Sequence, residues 1–220
     1  MRVLVTGGSG VLGTASIPLL REAGHEVDAP GHSELDLFDR AAVADAVAGK
    51  DGVLHLATRI PPPERLDDRD AWRETDRLRA EATPILVDAA LAASLEWFLF
   101  PSIAFVYPER GPVDESTPVA ETVPEILLSA LEAERHVARF DGDGRRGVVL
   151  RLGVLYGPSI GKPTPAERWA VYGATLRIED AGRAIAAATE VPGGVYNVVS
   201  DGERVSNERF KTTSGWQPEF

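Results

Sequence analysis

The chain has 220 residues, enough for one well-buried domain and short for two. Its formal charge of −11 repels phosphate backbones and anionic headgroups, so nucleic-acid and membrane partners are not expected. With no cysteine, disulfides, thiolate nucleophiles and cysteine-ligated zinc are excluded, and His25, His32, His55 and His136 show no metal-ligand spacing.

The N-terminus enters a strand pattern directly, Arg2 to Thr6, without the apolar core of a signal peptide, and a cytoplasmic protein is expected. A glycine cluster follows, then helical spacing from Val11 to Ala23 that ends at Gly24. Pro18 falls inside this helix, where it predicts a kink or a compensating tertiary contact. His25 to Ala29 reads as a second strand, Ala41 to Val47 as a short helix and Gly52 to Ala57 as a third strand. Pro61, Pro62 and Pro63 mark a loop, with one long helix expected from Trp72 to Ala93. Strands at Trp97 to Pro101, Gly147 to Leu152 and Val195 to Val199 alternate with helices at Ile126 to Ala138 and Glu179 to Thr189. Regular alternation predicts an α/β fold, a doubly wound parallel sheet in a single domain over 1–220. The proline-rich patch from Gly157 to Pro165 is expected to be a loop.

Thr6-Gly7-Gly8-Ser9-Gly10-Val11-Leu12-Gly13 places glycines at 7, 10 and 13, after a strand and opening a helix. Gly7 suits a tight turn, Gly10 lets backbone approach a pyrophosphate, and Gly13 permits close packing of the helix. Free N–H groups at the helix start attract phosphate. A dinucleotide is therefore the expected ligand, and this Rossmann-type βα turn its cradle.

The GxxGxxG spacing with its leading Thr resembles the extended short-chain dehydrogenase/reductases, the NAD-dependent epimerase/dehydratase family. Glu34-Leu35-Asp36-Leu37 resembles the family's Asp-Leu segment, and His55-Leu56-Ala57-Thr58 its His-Leu-Ala-Ala. Pro101-Ser102-Ile103-Ala104-Phe105-Val106-Tyr107 is similar to its Ser-Ser-x-x-Val-Tyr-Gly, and Arg151 to Pro158 to its Arg-x-x-x-x-Tyr-Gly-Pro. Val195-Tyr196-Asn197-Val198 and Gly215-Trp216-Gln217-Pro218 extend the match almost to the end. Within the family, the compact run from Gly24 to Val43 most resembles the dTDP-4-dehydrorhamnose reductase branch.

The resemblance implies a Rossmann fold with a reduced substrate region drawn mainly from 157–220, and NAD or NADP as cofactor. It implies cofactor contacts from Gly7, Gly10, Val11, Leu12, Gly13, Asp36, Leu37, Leu56, Ala57 and Thr58. His55 alone reads as a hydrogen-bonded core histidine. The family's acid at the end of strand two falls on Gly31. Asp28, His32 and Ser33 remain as ribose contacts, and no arginine stands nearby for a 2′-phosphate, so NAD against NADP stays open.

The family's catalytic groups are a Tyr, a Lys four residues later, and a Ser or Thr. Aligning Ser129-Ala130-Leu131-Glu132-Ala133-Glu134 with the family's helix puts Ile126 and Ala130 at the Tyr and Lys positions. No other register rescues the pair, because no tyrosine lies between Tyr107 and Tyr156 and no lysine between Lys50 and Lys162. Ile103 takes the Ser/Thr position, and Ser102 beside it would reach the same face only through a strand bulge. Ser102 and Tyr107 stand as replacement catalytic candidates, with Tyr156, Asp114 and Glu115 as other acids. Three functions stay open: an oxidoreductase or epimerase with a non-standard site for a small carbonyl or nucleotide-sugar-like substrate; an inert dinucleotide-binding sensor; or a non-redox cyclase or lyase. A homo-oligomer is left open as well.

Overall fold

The structure is a computed structural model that describes residues 1–162, 164 and 173–219. Six strands form one parallel sheet: β1 (Arg2–Thr6), β2 (Glu26–Asp28), β3 (Gly52–His55), β4 (Trp97–Ile103), β5 (Arg146–Leu152) and β8 (Gly194–Val198). Their order across the sheet is β2-β1-β3-β4-β5-β8. A small parallel pair, β6 (Val154–Tyr156) with β7 (Thr175–Arg177), stands apart from it.

Helices cover both faces because the strands are apolar on both. One face carries Val3, Val5, Leu54, Leu99 and Leu150 under Ile17 and Leu20 of α1 (Val11–Glu22) and Ala181, Ala184 and Ile185 of α6 (Ile178–Ala187). The other carries Leu4, Val53, Phe98, Phe100 and Val149 under α2 (Arg40–Val47), α4 (Thr83–Ala92) and α5 (Glu125–Ala138). Burying these side chains, at roughly 1.5–3 kcal/mol each, is what favours the doubly wound sheet.

The expected long helix from Trp72 to Ala93 is built in four pieces: a 3-10 turn Arg69–Trp72, α3 (Arg73–Arg77), a π-turn Leu78–Ala82, and α4. Pro84 explains the widening, since its ring opposes the carbonyl four residues back and offers no N–H. Thr83 Oγ1 donates to the Leu78 carbonyl at 3.3 Å within that turn. By contrast α1 runs through Pro18 as one helix, with Pro18 on its exposed side. The sequence pattern passed over β6, β7 and α7 (Glu208–Ser214), which are short elements. Of the loop expected from Gly157 to Pro165, Pro158–Ile160 is a 3-10 turn, while 163 and 165 lie outside the described residues, as do 166–172 and 220 of the expected substrate region.

Sequence order reverses beside β1: the chain passes from β1 to β2 on one side, then returns to place β3 on the other. In open α/β sheets such a switch point opens a crevice beyond the strand C-termini, where ligands bind.

Candidate cofactor cleft and buried polar network

Two backbone segments meet at the β1/β3 switch point. Gly7, with φ of +72°, turns the chain out of β1, and a side chain there would sit 2.6 Å from the Ala57 nitrogen. The turn is therefore seated on the Leu56–Ala57 backbone, and Gly10 N–H donates to the Gly7 carbonyl at 3.0 Å to close it. Gly13 lies in the first turn of α1, where a Cβ would stand 2.3 Å from the Gly8 carbonyl oxygen, so only glycine lets the helix start this close. Gly10 begins the helix with no side chain over its end, and the first helical N–H groups have no partner within the helix. The outer side of Gly10 is exposed and Val11 is 50% exposed. A positively polarised helix end with no side-chain cap, opening on a cavity that Ser9, Thr14, Ser159 and Ile160 also line, fits a dinucleotide pyrophosphate.

The other expected contacts divide by burial. Ala57, whose backbone seats the glycine turn, is half-buried, and Thr58 is exposed. The side chains of Leu37 and Leu56 belong to the core, and Leu12 packs against it, so these residues can offer a ligand only backbone. Asp36 is exposed and accepts from Phe38 N–H at 2.9 Å, which fixes its carboxylate at the edge of the β2–α2 loop. His55 is a core residue as expected, its Nδ1 sharing a 2.6 Å hydrogen bond with Thr6 Oγ1. Burial pulls its pKa down to about 4, so the ring is neutral at pH 7.

At the end of β2, Asp28 is paired with Lys50 Nζ at 2.7 Å. Glu34 supplies the carboxylate here: its Oε2 accepts from Gly31 N–H at 2.7 Å. Sequence reasoning missed Glu34, although the three-residue spacing back to Gly31 is the signal of a side chain that folds onto its own loop. Arg65 is held by Asp68 at 2.7 Å, and Arg59 is exposed with its backbone tied to Thr75.

Ser102 and Tyr107 belong to a different constellation. The β4–β5 register runs evenly through Ser102 opposite Arg151 and Ile103 opposite Leu152, with no bulge. Ser102 therefore faces away from Ile103, and its hydroxyl donates to Glu134 Oε1 at 2.5 Å. Arg151 grips the same carboxylate with two bonds, Nε to Oε1 at 3.1 Å and Nη2 to Oε2 at 2.7 Å. Its Nη1 donates to the Tyr107 hydroxyl at 2.8 Å, and that hydroxyl donates to Asn197 Oδ1 at 2.9 Å. Ser102 and Tyr107 are each only 3% exposed. Burial raises the Tyr107 pKa against the opposing charge of Arg151. Arg151 itself is held above its ordinary range, because the bonds and charge of Glu134 outweigh burial.

Glu115 accepts from Asn197 N–H at 2.6 Å, with burial raising its pKa, while Asp114 caps a local turn through Ser116 and Thr117. Tyr156 is half-buried on β6. The groups at the aligned catalytic positions are aliphatic: Ile103 and Ile126 half-buried, Ala130 fully buried. Among the described residues no cluster of His, Asp and Glu could hold a metal ion, and no helix is long and apolar enough to cross a membrane.

The model of the NAD dependent epimerase/dehydratase family matches residues 3–198. The chain belongs to that family. Membership gives it NAD or NADP as cofactor, in keeping with the turn just described. Among relatives, a 3-diazoavenalumate denitrifying reductase from a Streptomyces species is 34% identical over 91% of this chain and 76% of its own length. The human epimerase family protein SDR39U1 is 31% identical over 71% of this chain and 55% of its own length, so the match spans only about half of that protein. Solved structures share the fold. A short-chain dehydrogenase/reductase superfamily protein from Agrobacterium tumefaciens, with bound NAD, superposes with a TM-score of 0.74 at 22% identity, covering 100% of this chain and 93% of the other. UDP-N-acetylglucosamine 4-epimerase from Bacillus cereus gives 0.79 at 17% identity, covering 100% and 94%.

Proposed function

We propose that this family member is a dinucleotide-dependent reductase for electrophiles that need no proton from the protein. The observation behind this reading is the paired fate of the polar groups. The Tyr and Lys positions are Ile126 and Ala130, while the hydroxyls of Ser102 and Tyr107 are committed to the Glu134–Arg151–Asn197 network. Ile103, Ile126 and Ala130 carry no hydroxyl to protonate a substrate oxygen, and those of Ser102 and Tyr107 are bonded within the network.

The glycine turn, Gly7 to Gly13, would hold the pyrophosphate through backbone N–H groups, and Asp36 with the Leu37 backbone would face the adenine. The Leu56–Thr58 segment would run beneath the ribose, with Glu34 against its 2′-hydroxyl. When bound in reduced form, the nicotinamide supplies a hydride. The chain's task is then to position the substrate carbon and exclude water, which Ile103 and Ile126 suit. A substrate carbon that forms its C–H bond as dinitrogen departs with the electrons of the broken C–N bond balances without an added proton. The name of the Streptomyces relative, a denitrifying reductase of a diazo compound, makes an aryl diazonium the substrate class to test first.

The test follows NADH and NADPH oxidation at 340 nm with an aryl diazonium, against ketones and aldehydes as comparison. Protein-dependent oxidation with stoichiometric dinitrogen release from the diazonium, and none with carbonyls, is the expected result. Ketone reduction of equal efficiency would sink the reading. Binding without turnover on either class would favour an inert dinucleotide-binding protein, the reading to which the same loss of polar groups otherwise leads.

A further inference from the structure

Arg79 sits near the start of the π-turn Leu78–Ala82 and is only 6% exposed. Burying a guanidinium is costly unless hydrogen bonds and a counter-charge compensate. Yet Arg79 forms no ion pair or hydrogen bond among the described residues, and its Nη1 is buried without a partner. Asp76 lends its charge from a distance, but its Oδ2 is taken by Arg69 at 2.5 Å and its Oδ1 is likewise buried and unpartnered. Burial draws the Arg79 pKa down to about 10, so the group is still a cation at neutral pH.

The position of this cation is fixed by its neighbours. Thr75, one helical turn earlier, exchanges hydrogen bonds with the backbone of Arg59, pinning this face of the helix to the segment that leaves β3. Arg79 follows four residues later, and its charge reaches His55 at the end of β3. His55 is bonded to Thr6, the residue that enters the glycine turn, and that turn rests on Ala57. A buried cation lacking a partner among the described residues thus follows, one helical turn on, the point where the helix is bonded to the segment leaving β3, the same segment whose Ala57 seats the glycine turn.

We propose that Arg79 is an anion-binding residue of this cleft, its guanidinium meeting a phosphate oxygen of the dinucleotide held at the glycine turn. This rests on the reading of the cleft as a dinucleotide site. The ligand would supply the counter-charge that the chain withholds, so Arg79 couples occupancy of the cleft to the stability of the π-turn. A basic residue on a helix ordinarily reads as solvated, which is why the sequence gives no hint of it.

The experiment measures dissociation constants of NADH, ADP-ribose and adenosine, with melting temperatures of the unliganded proteins, for wild type, Arg79→Gln and Arg79→Lys. A charge-assisted bond of this kind predicts that Arg79→Gln weakens NADH and ADP-ribose by about ten- to a hundredfold and leaves phosphate-free adenosine within about twofold. Arg79→Lys should retain most of the affinity. The unliganded Arg79→Gln protein should melt no lower than wild type, since an uncompensated buried charge has been removed. Unchanged ADP-ribose affinity in Arg79→Gln would overturn the proposal while leaving the cofactor reading intact. So would a lower melting temperature with all three ligands weakened alike, which marks a packing role. Failure of the wild type to bind any of the three would overturn both.

Discussion

Arg151 and Glu134 face each other as a two-bond pair in which both side chains are nine-tenths buried, at 2.7 and 3.1 Å. Such a pair tolerates the loss of neither member, because the survivor is left as an unpaired charge in a dry site. Glu134→Ala should therefore destabilise the fold by about 3–5 kcal/mol. Tyr107→Phe removes one neutral hydroxyl from the same network and should cost about 1 kcal/mol. Urea denaturation checks both, and NADH titration of Tyr107→Phe should return the wild-type affinity. A Tyr107→Phe protein that keeps its stability but loses turnover would return the hydroxyl to the reacting centre.

Gly10 offers a cleaner separation of binding from folding. Its φ of −74° is ordinary for any residue, and a Cβ there would meet a single atom, the Gly7 carbonyl oxygen, in a tight contact at 3.2 Å that a shift of a few tenths of an ångström relieves. Gly10→Val should then melt within a few degrees of wild type yet abolish NADH binding, because the new side chain stands over the helix end. With ligand at one hundred times Kd, wild type should gain about 2.7 kcal/mol and the variant nothing. Equal stabilisation of the two proteins would remove the phosphate site from this turn.

What the sequence disclosed and what it concealed differ for a physical reason. Strand-helix alternation, the glycine spacing and the aliphatic Ile126 and Ala130 are local patterns, and the family match, the sheet and the turn follow them. The environment of a polar side chain is set by residues far along the chain. Ser102 meets Glu134 32 positions away, and Tyr107 meets Asn197 90 positions away. Their hydroxyls read as free catalytic candidates until the fold shows where they are spent. The break at Leu78–Ala82 lay closer to hand: Pro84 marks it, but helical periodicity on both sides hides it.

The Glu34 carboxylate at Gly31 bears on which dinucleotide is preferred. A carboxylate at the end of β2 can accept from a ribose 2′-hydroxyl and repels a 2′-phosphate. NADH should bind at least tenfold more tightly than NADPH, and Glu34→Ser should narrow that ratio mainly by improving NADPH. Competitive titration of both reduced cofactors against each protein measures it. A wild type that prefers NADPH would assign the ribose contact to His32 or Ser33 instead.

His55 gives the fold a pH dependence whose sign can be worked out. Folded, its pKa lies near 4, below the ordinary 6.5 of the unfolded chain, so between these values the unfolded state binds more protons. Stability contributed by the neutral ring is complete above about pH 6.5 and falls as pH drops toward 4. A gap of this size is worth roughly 3 kcal/mol at its limit. Carboxylates titrate in the same range, so the informative quantity is the difference between wild type and His55→Asn, which can keep the hydrogen bond to Thr6 without the titration. Between pH 7.5 and 4.5 the wild type should lose about 2–3 kcal/mol more than His55→Asn, read from urea denaturation of each at the two pH values. Parallel curves for the two would show that the buried ring does not set the slope.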